Sequence, residues 1–189
     1  MPLKDKVQTK FGVEHFREMF SIEIVSMTGA LLAGVVLAIY KQSFEILPAL
    51  FILFPGFLEM RRSISGSLSA RLTSGLFLHV IKPELKMSKP IIGNVIASLV
   101  LTLITSVVLG LVAYYATSYF MGVTNFAIVY IAVMAGLISS AIEIPVTIAA
   151  TILIFKKGHD PDDIMGPYIT TLGDITSVFS LLVAMWVFL

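Results

Sequence analysis

The chain is 189 residues long, 57% hydrophobic and only 13% charged, with a mean hydropathy of +0.95, whereas soluble domains carry about a quarter charged residues. Such a composition marks an integral membrane protein, and a net charge of +1 leaves no bulk field to draw nucleic acid or an acidic partner. With no cysteine in the chain, disulfides, thiol nucleophiles and cysteine-bound zinc are excluded.

The first segment, residues 1–20, sets Lys4, Lys6, Lys10 and Arg17 among acids ahead of the first apolar run. It offers no small-residue cleavage site after a short apolar stretch, so a cleaved leader is not expected. Phe11, Val13, Phe16, Met19 and Phe20 recur loosely at helical spacing, which fits either an interfacial helix or a disordered cytoplasmic tail. The first membrane helix is expected over Ile22 to Tyr40, where Ser26, Ala30, Gly34 and Ala38 stand four apart and mark a packing face.

A second segment begins at Ile46. Its purely apolar part, ILPALFILFPGFL, is about 13 residues long, too short to cross a hydrocarbon core of about 30 Å. The polar continuation EMRRSISGSLSARLTSG must therefore finish the crossing buried against protein, and Gly66, Ala70 and Ser74 repeat the small-residue spacing within it. Three further apolar segments follow, Pro90 to Tyr119, Phe126 to Phe155 and Met165 to Leu189, with Ala132, Gly136 and Ser140 as the stripe of the fourth. Residues 21–189 thus read as one all-α domain of five transmembrane helices, whose loops hold no soluble domain. Lys82, Lys86, Lys89, Lys156 and Lys157 load one set of connections, while the loop near Met121 to Asn125 has no charge. That asymmetry predicts a cytoplasmic N-terminus and an outside C-terminus in a multi-pass protein of the cell membrane.

An acid inside hydrocarbon costs roughly 2.5–3.5 kcal/mol on insertion scales, so by default it faces a cavity or a partner. Asp174 is the deepest candidate, about nine residues and about 14 Å into a helix that starts near Met165. Pro167, Thr170, Thr171, Asp174 and Ser177 share one helical face, a row of oxygens suited to a hard cation or its water shell. The competing reading is an aspartate neutralised by a proton or by an arginine across the bundle. Glu59 sits where the second helix turns polar, with Ser63, Gly66, Ser67 and Ala70 continuing its face and Pro55–Gly56 inviting a kink. Arg62, three residues on, makes an internal ion pair the alternative there. Arg61 and Arg71 have stems long enough to snorkel to the cytoplasmic headgroups.

Glu143 precedes Pro145, and an acid beside a helix break can build an ion site, carry a proton or serve structure alone. Glu23 lies near the first helix's cytoplasmic end, within reach of headgroups. The loop KKGHDPDDIMGP places Asp160, Asp162 and Asp163 at the cytoplasmic mouth, either to concentrate cations or only to cap the following helix. No HExxH, GxSxG or phosphate-binding loop is present, and His15, His79 and His159 are scattered. The chain has no visible enzymatic apparatus and needs no organic cofactor.

Two stretches resemble a known family. HDPDDIMGPYITTLGDI is similar to the loop and final helix of the MgtE magnesium transporters and the related animal solute carriers, which read DPD, a few residues, P, and a small-residue run ending in LGD or TD. LPALFILFPGFLEMRRSISGSLSARLTSG resembles their helix with PAL, GNLEM and ASRL. Together these cover about a quarter of the chain. Phe57 stands where the family often has asparagine, and Arg61 and Arg62 stand where it has neutral residues. The resemblance implies an MgtE-type membrane domain working as a homodimer. Asp174 then takes the position of a pore aspartate that binds magnesium near the two-fold axis. Asp160 matches the aspartate of a cytoplasmic DP motif implicated in closing the pore, and Glu59 matches the glutamate of LEM. Ser63, Gly66, Ser69 and Arg71 fall along the pore-forming helix.

A two-fold axis also makes physical sense, because one central carboxylate is a poor divalent site whereas two copies of Asp174 supply a charge of about −2. Magnesium sheds water reluctantly, so the hydrated ion is the expected cargo. The expectation is a divalent-cation transporter or channel, most simply for Mg2+, with Asp174, Thr170, Thr171, Glu59, Glu143, Ser63 and Asp160 as metal-contacting candidates. Its partners are then divalent cations, membrane lipid and a second copy of itself. Two rivals stand beside it: an exchanger driven by Na+ or H+ with Glu143 or Glu59 as coupling acid, and a non-transporting scaffold subunit of the membrane.

Overall fold

The computed structural model describes residues 20–21, 23–24, 26–41 and 47–188, so the expected interfacial segment lies almost wholly outside the described residues. Among the described residues five helices are defined: α1 (Ser26–Ile39), α2 (Ala49–Phe77), α3 (Lys89–Met121), α4 (Ala127–Lys156) and α5 (Pro161–Phe188). Among the described residues there is no strand. Helices α3, α4 and α5 are each long and apolar enough to cross a membrane. Helix α2, 29 residues and so about 43 Å long, has the length but carries Glu59, Arg61, Arg62 and Arg71.

Local chemistry sets the ends. Pro90 occupies the first turn of α3, where its missing N–H costs nothing. Gly122 closes α3 at φ 67°, a left-handed turn that a side chain would strain. The Asn125 carboxamide oxygen accepts from the Ala127 N–H at 3.0 Å and starts α4. The Asp160 carboxylate likewise accepts from the Asp162 N–H at 3.0 Å, so α5 begins at Pro161, four residues before the expected start. Asp162 and Asp163 then lie in its first turn, favourable to the helix dipole.

Helices α2 to α5 pack around a core of two apolar layers. One gathers Leu50, Leu53, Phe57, Ile128, Ile131 and Leu181; the other gathers Leu68, Leu72, Leu76, Ile91, Ile148 and Ile152. Helix α3 is patterned inside out. Its buried face is Ser98, Thr102, Ser106, Gly110, Ala113 and Thr117, while Val100, Leu103, Ile104, Val108 and Val112 point outward. A helix that hides small and hydroxyl residues and exposes branched apolar ones is solvated by lipid.

The small residues set helix separation. Gly136 of the expected α4 stripe sits against Thr102 and Ser106, and a Cβ on Gly110 would come within 2.8 Å of the Val129 Cα. Gly110→Ala is therefore expected to push α3 off α4 and cost about 1–3 kcal/mol, measured as a lower unfolding midpoint in detergent. On α1 the contact differs from the expected stripe: Ser26 and Ala33 are buried but Gly34 and Ala38 are exposed. Gly29 instead meets the Thr171 methyl on α5, with no room for a side chain between them. On α2, Ala70 and Ser74 are exposed and a Cβ added to Gly66 would meet open space, while Ser65, Ser69 and Thr73 face inward.

Candidate functional site

Between the two apolar layers lies a polar one. Arg61 on α2, expected at the headgroups, is instead fully buried and pairs with Glu143 on α4, Nη2 to Oε2 at 2.9 Å and Nε to Oε1 at 3.3 Å. Its Nη1 donates to Ser140 Oγ at 2.8 Å and Thr102 Oγ1 at 3.2 Å. Both carboxylate oxygens of Glu143 take further donors: Ser65 at 2.6 Å, Ser139 at 2.7 Å and Thr176 at 2.5 Å. The residues come from α2, α3, α4 and α5. Glu143, anticipated as a pore acid, is thus enclosed by a guanidinium and three hydroxyls.

Thr176 and Thr102 went unmarked in the sequence. The signal available was the pair of opposite charges at membrane depth, Arg61 and Glu143, which hydrocarbon obliges to find each other.

The next arginine faces elsewhere. One residue further turns the side chain about 100° round the helix, and Arg62 reaches Glu59 at 3.3 Å on its own helix and Asp174 at 3.7 Å on α5. The three side chains are unequally open: Glu59 is 69% exposed, Arg62 45% and Asp174 11%. Asp174 is thus the most enclosed of the three, where α5 meets α2. Ser63 and Ser67 continue the exposed edge of α2.

The remaining candidates divide. Thr170 and Thr171 are partly exposed on α5, one turn before Asp174, and each hydroxyl donates to a carbonyl of its own helix, Gly166 and Pro167, at 3.1 Å. The Thr171 methyl is turned to α1. Ser177, also on the predicted stripe, is buried, and its hydroxyl has no partner among the described residues. Asp160 is exposed at the start of α5, about 21 Å along the helix from Asp174. Glu23 is exposed. Among the described residues of one chain, no three acidic or histidine side chains converge on a point.

Sequence comparison adds the family. No curated protein and no solved structure matches the chain. The family model described as MgtE, divalent cation transporter, matches residues 54–184. The match spans well over half the chain and takes in α2 to α5, including Glu59, Arg62, Glu143 and Asp174. This multi-pass membrane protein belongs to the MgtE family of divalent cation transporters.

Proposed function

We propose that the chain conducts hydrated divalent cations, Mg2+ foremost, along a path between two copies of itself, past paired Asp174 side chains. The observation that carries this reading is the exposed polar edge of α2, Glu59, Arg62, Ser63 and Ser67, lying beside Asp174. The exposed large side chains elsewhere are mainly leucine, isoleucine, valine and aromatic residues, and hydrocarbon cannot solvate such a charged edge. A second copy related by a two-fold axis along α2 would cover it and bring two carboxylates from each protomer to one axis. Thr170 and Ser63 then offer oxygen atoms to the ion's water shell. Asp160, with Asp162 and Asp163, stands at the entrance.

In this reading α1 to α5 all span the membrane, with the N-terminus cytoplasmic. The connection after α2 carries Lys82 and Lys86 with Lys89 opening the next helix, the one after α4 carries Lys157, and the one after α3 carries no charge, which favours that orientation. Glu143 is assigned to structure rather than to the ion, because Arg61 neutralises it and its oxygens are already engaged. An exchange mechanism that uses Glu143 as coupling acid would first have to break that pair.

Binding is testable without transport. For a site with a Kd of about 1 mM, about 10 mM Mg2+ is expected to stabilise the protein by about 1.4 kcal/mol. The unfolding midpoint in detergent should rise with the metal, and Asp174→Asn should remove the rise. A midpoint indifferent to Mg2+, Mn2+ and Ca2+ would point instead to a non-transporting scaffold subunit.

A further inference from the structure

Two consecutive arginines on α2 do opposite things. Arg61 is sealed: fully buried, bidentate on Glu143 and tied to two hydroxyls. Arg62 is loosely held, because 3.7 Å to Asp174 is well beyond the roughly 2.7–2.9 Å of a strong charge-assisted hydrogen bond. Its side chain is nearly half exposed, and its second anchor, Glu59, is more open still.

We infer that Arg62 is a tethered counter-cation that occupies Asp174 when the path holds no metal, and that a divalent ion enters by displacing it toward Glu59. The inference rests on Asp174 being the cation-binding residue proposed above. Charge makes the exchange feasible: Glu59, Arg62 and Asp174 sum to −1 in each chain, so two chains present −2, the complement of one divalent ion. The guanidinium stays within reach of Glu59 when it leaves, so no charge is stranded. The device also discriminates by valence. A monovalent ion brings the same charge as the guanidinium it must displace and fewer directed contacts, whereas a divalent ion between two copies of Asp174 gains about twice the Coulomb attraction. An empty path with its aspartates covered is correspondingly closed to sodium and potassium.

The test is Mg2+ titration of full-length wild type, Arg62→Gln, Arg62→Lys and Asp174→Asn, read by unfolding midpoint in detergent and by uptake into proteoliposomes. A guanidinium that covers Asp174 about nine-tenths of the time raises the apparent Kd about tenfold. Arg62→Gln should therefore lower the half-saturating Mg2+ concentration on the order of tenfold. In uptake, KM and kcat should fall together, because the ion is held longer, and added Na+ should inhibit this variant more than wild type. Arg62→Lys, which keeps the charge, should stay near wild type. The inference is overturned alone if Asp174→Asn abolishes the Mg2+ response while Arg62→Gln binds no more tightly than wild type. It falls together with the site itself if wild type, Arg62→Gln and Asp174→Asn are all indifferent to Mg2+.

Discussion

Asp174→Ala is expected to abolish Mg2+ uptake into proteoliposomes while leaving the oligomeric state unchanged. In the proposed two-fold arrangement the substitution removes both central carboxylates at once. Outer contacts of a bound metal are commonly worth 10–100-fold, so loss of the charged groups themselves should lower uptake by at least about 100-fold. Folding should tolerate the change. Among the described residues the Asp174 side chain makes only the long contact to Arg62, and its neighbours on the buried face of α5, Ile169, Val178 and Leu181, are untouched. Light scattering of the detergent-solubilised variant checks assembly, and Asp174→Asn separates the need for charge from the need for size. Uptake at the wild-type rate in Asp174→Ala would remove Asp174 from the transport path.

Glu143→Ala should have the largest effect on stability, a loss of about 3–5 kcal/mol, because it leaves the Arg61 guanidinium buried without its counter-charge. Arg61→Ala should cost a similar amount for the mirror-image reason. Replacing both partners with methionine should recover most of the loss, since a buried pair exchanged for apolar side chains of similar volume is often neutral or better. Unfolding midpoints of the two single variants and the double variant close the cycle. Additive losses would mean that the two residues do not act as a pair. The contrast with Asp174 is diagnostic: the proposed site predicts that loss of one acid stops transport and loss of the other undoes the fold.

Much of this arrangement was legible in the sequence. The last three helices follow from the apolar runs Pro90 to Tyr119, Phe126 to Phe155 and Met165 to Leu189, while only one face of the polar second half of α2, with Arg61, Ser65, Ser69 and Thr73, is held against protein, and Glu59, Arg62, Ser63 and Ser67 are exposed. Asp174 and its threonines do share a face. What could not be read was the rotation of α2. Ser65, Ser69 and Thr73 repeat at four-residue spacing beside Gly66, Ala70 and Ser74, so two neighbouring faces of the helix are equally small and polar. Only packing against α3, α4 and α5 chooses between them, and with that choice it decides which arginine goes inside. For the same reason Arg61, read as able to snorkel to the headgroups, is the arginine that packing buries, whereas Arg62 keeps the pairing with Glu59 that its spacing offers.

The start of α5 was misplaced for a simpler cause. Asp160, Asp162 and Asp163 read either as a charged mouth or as caps of the following helix, and the helix takes them as the second: Asp160 caps it and the other two suit its first turn. Polarity at a helix N-terminus is a start signal as much as a loop signal.

The knot of side chains at Arg61 and Glu143 has a mechanical consequence. It fastens α2, α3, α4 and α5 at one height, so that no one of the four can slide or turn past the others without parting a charge from its partner in a medium that offers no water. Opening and closing would then leave this bundle intact and move it as a single piece. The joints of the machine are left to the boundaries of that piece: the seam with α1 at Gly29 and Thr171, and the polar edge of α2.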